Sequence, residues 1–177
     1  MQIEQPFQLF PAQANLLTVG RVKGKLSKFV VRNPAGETVA MLNWASLLQP
    51  GKATGSWAGG QIHFKQRRWW SADMVYQLSG KSEVGELPFE WQRFSNAILW
   101  EHEKFRLKTK GWFLRHFQLF DAQDELLAEY RIREKFISFQ LEIKLENRLF
   151  RYKNPETLVL TALFLLFVRL RRAKSAA

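Results

Sequence analysis

The chain contains three histidines and no cysteine, so His63, His102 and His116 are its best prospects for metal or acid–base chemistry. Their spacing gives no ligand pair on one helical face. His102, within Glu101–His102–Glu103–Lys104, lacks the second histidine that a zinc-protease helix supplies. The absence of cysteine removes disulfides, thiolate metal sites and cysteine nucleophiles together. No Gly-rich phosphate loop, nucleophile elbow or paired-carboxylate motif occurs either. The expectation is a protein that is not an enzyme and needs neither cofactor nor metal.

Cations suggest a different task. Lys and Arg total 27 against 16 Asp and Glu, a formal net charge of +11. Such an excess favours an anionic partner, either nucleic acid, an acidic protein or an anionic lipid surface, although a basic surface also keeps a compact protein soluble. In the run "HFKQRRWW", Lys65, Arg67 and Arg68 suit phosphate oxygens, the arginines by two-pronged contact. Trp69 and Trp70 beside them suit a headgroup interface or base stacking. The alternative is an exposed basic turn whose tryptophans pack into the fold. In a second run, "RLKTKGWFLR", Arg106, Lys108 and Lys110 share one side of an extended strand, where alternation alone would leave them solvated. Gly59–Gly60–Gln61 matches the tripeptide that peptide-release factors insert into the ribosome. Its flanks, Trp57 and "IHF", read instead as the start of a strand after a glycine turn. Anionic phospholipid or a membrane surface is the first expectation for a partner, RNA or another nucleic acid the second. The sequence assigns no oligomeric state.

The elements that must position these cations are mostly strands. In "ISFQLEIKL", Ile137, Phe139, Leu141, Ile143 and Leu145 alternate with polar residues, giving one apolar and one polar face. "LENRLFRY" reads as a turn at Glu146–Asn147 into a short returning strand ending near Tyr152. Further strands are expected over Phe29–Arg32, Thr38–Trp44, Gln61–Lys65, Met74–Leu78, Phe105–Lys108, Trp112–Phe120 and Leu126–Arg133. Gly- and Pro-bearing segments separate them. A connection between two sub-blocks is expected within Gly80–Arg93, with a short helix over Trp91–Ala97.

The two halves resemble each other. "FVVRNPAGETVAML" from Phe29 aligns with "FQLFDAQDELLAEY" from Phe117, matching Phe29 with Phe117, Val31 with Leu119, Asn33 with Asp121 and Ala40 with Ala128. Lys23–Gly24 and Lys110–Gly111 extend the match one residue out of register. The pattern reads as an internal duplication, with halves of about 1–90 and 91–153 in a single domain.

The last segment, "NPETLVLTALFLLFVRLRRAKSAA", reads as a helix over about 155–172. Asn154 is placed to cap it, Pro155 suits the first helical position, and Glu156 and the arginines complement the dipole. From Leu158 to Val168 only Thr161 is not apolar, so the helix has no polar face. Its uninterrupted apolar stretch of roughly 13 residues is short of the about 20 that span a bilayer. Enclosure by the strands is the first expectation, and a membrane-seated tail with snorkelling arginines is the alternative. An open sandwich with the helix on one side is a further arrangement. The N-terminus has no secretory pattern, and the chain is expected in the cytoplasm or at the inner face of a membrane.

A closed antiparallel β-barrel around the helix satisfies all of this, because closure removes sheet edges and the inward side chains cover the helix on every side. In "FQLFDAQDELLAEYRI", "ISFQLEIKLENRLFRY" and the terminal "NPETLVLTALFLLF", in that order, the chain resembles the tubby C-terminal-like superfamily, which includes LURP-one-related and phospholipid-scramblase-like proteins. The resemblance implies a mainly β fold of about 12 strands around a hydrophobic C-terminal helix. Tubby proteins bind phosphoinositide headgroups through surface cations, but no tubby phosphoinositide motif maps onto this chain residue by residue.

Overall fold

The computed structural model describes residues 15–25, 27–45, 51–68, 73–82, 84–90, 95–100, 102–111, 114–135 and 138–175. Thirteen strands form one antiparallel sheet: β1 (Leu16–Arg21), β2 (Lys28–Arg32), β3 (Thr38–Trp44), β4 (Lys52–Trp57), β5 (Gly60–Gln66), β6 (Met74–Leu78), β7 (Val84–Leu87), β8 (Phe89–Glu90), β9 (Ser95–Trp100), β10 (Glu103–Thr109), β11 (His116–Phe120), β12 (Leu126–Lys135) and β13 (Ser138–Leu145). The order is β7-β6-β5-β4-β3-β2-β1-β13-β12-β11-β10-β9-β8, a meander curled into a nearly closed barrel. Pro88 separates β7 from β8: the first pairs with β6 and the second with β9. One short stretch thus bridges the two ends of the sheet.

Alternation sets what faces inward. Leu141, Ile143 and Leu145 on β13 are buried, as are Phe105 and Leu107 on β10 and Ile62 and Phe64 on β5. The Phe139 side chain and residues 136–137 lie outside the described ones. Helix α1 (Pro155–Ser175) runs through the middle, and every residue from Glu156 to Val168 is buried. Phe164 stacks on Phe64 with ring centres 4.2 Å apart, and Phe167 meets Phe29 at 4.3 Å. The Tyr130 hydroxyl donates to the Val159 carbonyl at 3.2 Å, a tether from wall to helix. The helix is enclosed, as its apolar circumference requires.

The β2–β3 and β11–β12 hairpins share several details. Asn33 Oδ1 accepts the Glu37 N–H at 3.0 Å, and Asp121 Oδ1 accepts the Glu125 N–H at 2.8 Å. Gly36 and Asp124 hold left-handed φ angles of 83° and 62° at matching turn positions. The strand register slips between Val31 and Arg32 and again between Leu119 and Phe120.

Four expectations change. Residues after Glu146 form a 3-10 helix, Asn147–Arg151, not a returning strand, because β13 already pairs with β12 and β1 and offers no free edge. Leu149 instead buries itself at the barrel end. Ser95–Ala97 belong to strand β9 rather than to a helix, since Ala97 and Ile98 are both buried against the core; residues 91–94 lie outside the described ones. Asn154 makes no side-chain cap to α1 among the described residues. It adopts φ 57°, and its carbonyl accepts the Thr157 N–H at 3.0 Å. In addition, β11 starts at His116, so Leu114 and Arg115 form a turn; Trp112 and Phe113 lie outside the described residues.

Candidate anion-binding surface

A meander places alternate turns at the same end of the barrel. The C-terminal end of α1 marks one end. The Arg171 guanidinium sits 4.5 Å from the centre of a Trp44 ring and Arg169 sits 5.5 Å from Phe117, while Arg172 reaches the Met74 sulfur at 4.0 Å. The end of β3 and the starts of β6 and β11 therefore meet here. So do the turns β1–β2, β5–β6 and β10–β11, which carry Lys23, Lys25, Arg67, Arg68, Lys110 and Arg115 beside Lys28 and Lys52. Asp73, Glu86 and Glu90 are the acids nearby among the described side chains. At the opposite end the turns carry Glu37, Asp121, Asp124, Glu125 and Glu146 among Lys81, Arg148, Arg151 and Lys153. Charge is segregated along the barrel axis, with the cations gathered at the end where the helix emerges.

Arg169, Arg171 and Arg172 are half-buried in that end. Burial lowers the pKa of each guanidinium; Arg21 adds repulsion at Arg171, and Asp73 opposes the effect at Arg172. They form a cationic floor, and the turn lysines stand around it. Lys23, Lys25, Lys28, Lys52, Lys65 and Lys110 make no ion pair among the described residues.

The structure divides the six cations singled out from the sequence. Lys65, Arg67 and Arg68 lie together at the basic end of β5 and are exposed; Arg67 also pairs with Glu86 at 3.1 Å. Lys65 stands directly opposite Lys52 on β4. Two like charges so placed destabilise a sheet, and an anion between them reverses the sign. They border a shallow concavity of about 250 Å³ that includes Asn43, Thr54, His63 and Gln77. Lys110 reaches the same rim from β10, with β6, β7 and β9 intervening. Arg106 and Lys108 do not join it, because both bind Asp124, at 2.9 Å and 2.8 Å. The Lys108 hydrogen bond, aided by Arg106, holds the Asp124 carboxyl below its ordinary pKa despite the opposing desolvation. Trp69 and Trp70 lie outside the described residues.

Reading the runs one at a time missed Lys23, Lys25, Lys28 and Lys52. The available signal was the meander itself: turns an even number of strands apart share an end, so their charges add.

The three histidines sit in different settings. His63 lies between Thr54 Oγ1 at 3.3 Å and Ser79 Oγ at 3.2 Å, and His102 occupies a turn at φ 72°. His116 faces Glu129 at 3.6 Å, yet burial outweighs that carboxylate and lowers its pKa. No cluster among the described residues could hold a metal ion, and no described helix is long and apolar enough to cross a membrane.

No protein-family model matches the chain, and no curated protein does. Among solved structures, the X-ray structure of the Arabidopsis thaliana protein AT5G01750 is similar, with a TM-score of 0.56 and 10% identity over 89% of this chain and 95% of that one. At that identity the likeness is one of fold.

Proposed function

We propose that this chain is a tubby-like barrel of the LURP-one-related kind, and that it is a non-enzymatic protein that binds anionic phospholipid at a membrane surface. The observation that carries the reading is the gathering of cations at one barrel end, with lysines that make no ion pair among the described residues around a floor of half-buried arginines. The fold likeness to the Arabidopsis protein and the enclosed helix support the family. A flat anionic surface meets many turn lysines at once, each contributing about 1 kcal/mol close to the membrane. Lys52 and Lys65 then serve a single phosphate on the adjoining wall. The proposed location is the cytoplasmic face of a membrane.

The test is sedimentation with phosphatidylcholine vesicles, with and without phosphatidylserine, at physiological salt. Binding is expected only with phosphatidylserine and should weaken as salt rises. Replacing Lys23, Lys25 and Lys28 with Glu should cost at least about 3 kcal/mol, roughly a hundredfold in affinity. A single-stranded RNA is titrated in parallel. Tighter binding to RNA than to vesicles, with the same variants impaired, would transfer the surface to nucleic acid. Equal sedimentation with both vesicle types would refute the proposal.

A further inference from the structure

Among the described residues the barrel wall is laddered all round except along one line. In the sheet order β7 and β8 are the two ends. β7 pairs with β6 alone, and β8, two residues long, pairs with Ser95 and Asn96 of β9. The Pro88 carbonyl accepts the Ala97 N–H at 2.9 Å, and Asp73 Oδ1 accepts the Phe89 N–H at 3.0 Å, so the line is sewn near its basic end. From Ile98 to Trp100 no described strand pairs with that edge of β9. A cleft of about 760 Å³ lies between β7 and β9 here, lined in part by Val84, Gly85, Leu99 and Trp100.

Tyr76 crosses this line. Leu99 lies two residues beyond Ala97 and presents its carbonyl to the same edge, where the Tyr76 hydroxyl donates to it at 2.6 Å. The Tyr76 ring stacks on Trp100 with centres 5.1 Å apart. Tyr76 belongs to β6, so its side chain has to pass β7 to reach β9. It passes at Gly85, which stands opposite it in register and where a Cβ would overlap the ring. A side-chain hydroxyl thus stands in for the row of backbone bonds that closes the wall elsewhere. Residues 83, 91–94 and 101 lie outside the described ones, and the latch uses none of them.

We infer that this seam is the line along which the folded barrel opens, with β7 swinging away from β9, the Pro88 crossover as the hinge and Tyr76 as the latch. Two laddered strands part only by breaking a series of backbone hydrogen bonds, whereas one hydroxyl bond and one ring stack hold this stretch. Ile98 and Trp100, buried behind the seam, are then the first core residues to meet solvent. β12 and β13, paired from Ala128–Leu145 to Lys135–Ser138, stay closed. Weakly paired elements open in this way at a lower free energy than the whole fold, so the core is reached without global unfolding. The seam opens away from the basic turns, and the inference is independent of membrane binding.

The chain contains no cysteine, so a single introduced thiol reports accessibility without background. Ile98→Cys places one behind the seam, and Ile143→Cys places one on β13, where the native side chain is equally buried. Labelling of the folded full chain with iodoacetamide is followed by mass spectrometry, and urea melts give the global stability against which each rate is compared. Ile98→Cys should label at least about tenfold faster than Ile143→Cys. Adding Tyr76→Phe should speed labelling at position 98 about three- to tenfold. Adding Tyr130→Phe, which removes the hydroxyl bonded to the Val159 carbonyl, should leave that rate unchanged, because the tether stays intact while the seam opens. If Ile98→Cys does not fold, Leu87→Cys, fully buried on β7, takes its place. Equal labelling at the seam and at position 143, no response to Tyr76→Phe, or the same response to Tyr130→Phe would each overturn the inference.

Discussion

Replacing Phe164 with alanine tests the enclosure of the helix directly. The ring is fully buried, stacked on Phe64 at 4.2 Å with an interplanar angle of 7° and 6.0 Å from Trp44. Removing it forfeits the transfer energy of the ring and leaves a void that a barrel paired along nearly all its strands has little freedom to collapse. The expected cost is about 3–5 kcal/mol, a large part of the roughly 5–15 kcal/mol that holds such a domain together. At about 2–4 °C per kcal/mol for a chain of this size, the melting temperature should fall by about 10 °C. Urea unfolding followed by circular dichroism measures the change, with Leu99→Ala as an exposed control expected within about 0.5 kcal/mol of wild type. A loss below about 1 kcal/mol with an unchanged denaturant slope would mean that the helix is not surrounded.

Other outcomes follow from the geometry. Tyr130→Phe removes the hydroxyl bonded to Val159 and should cost about 0.5–1.5 kcal/mol in the same assay. Gly85→Ala forces Tyr76 aside and should destabilise by about 1–3 kcal/mol, detectable as a lower urea midpoint. Burial, and then the hydrogen bond to Asp121, push the Tyr152 pKa up to about 12 from 10.0. Its neutral form is thereby favoured in the folded state, so the stabilisation is complete below pH 10 and lost as pH rises toward 12. Tyr152→Phe should lose less stability than wild type across that window in pH-resolved urea titrations. Asp124→Asn removes the charge that engages Arg106 and Lys108 at the end opposite the basic turns and should leave sedimentation with phosphatidylserine vesicles unchanged.

Most of the fold was legible because its signals are local. The strict alternation from Leu141 to Leu145 marks an inward face, Asn33 and Asp121 mark turns through their own side chains, and an apolar circumference around Leu163 demands enclosure. What was not legible depends on partners distant in sequence. Asn147–Arg151 carries a strand-like composition, but whether it extends depends on β13's edge, which residues 16–20 already occupy. The close approach of Gly85 to Tyr76 depends on their lying opposite each other on β7 and β6, a register that neither residue announces. The candidate surface was half legible: Lys65, Arg67 and Arg68 are adjacent in sequence. Lys23, Lys25 and Lys28 join them only through the number of intervening strands. The tie of Arg106 and Lys108 to Asp124 required the turn geometry.

Helix α1 follows all thirteen strands along the chain, and β1 finds β13 more than a hundred residues downstream in the sequence, Leu17 opposite Ile143. During synthesis the wall of the barrel therefore emerges before the element that fills it. Until Pro155 and the residues after it have left the ribosome, the inward faces of the strands have no helix to close upon. Such long-range pairing is slow, and the uncovered faces are open to wrong partners in the meantime. Folding is thus a late, collective event for this chain, and translation that stops short of residue 155 yields a sheet with no centre, a natural substrate for chaperones and proteases.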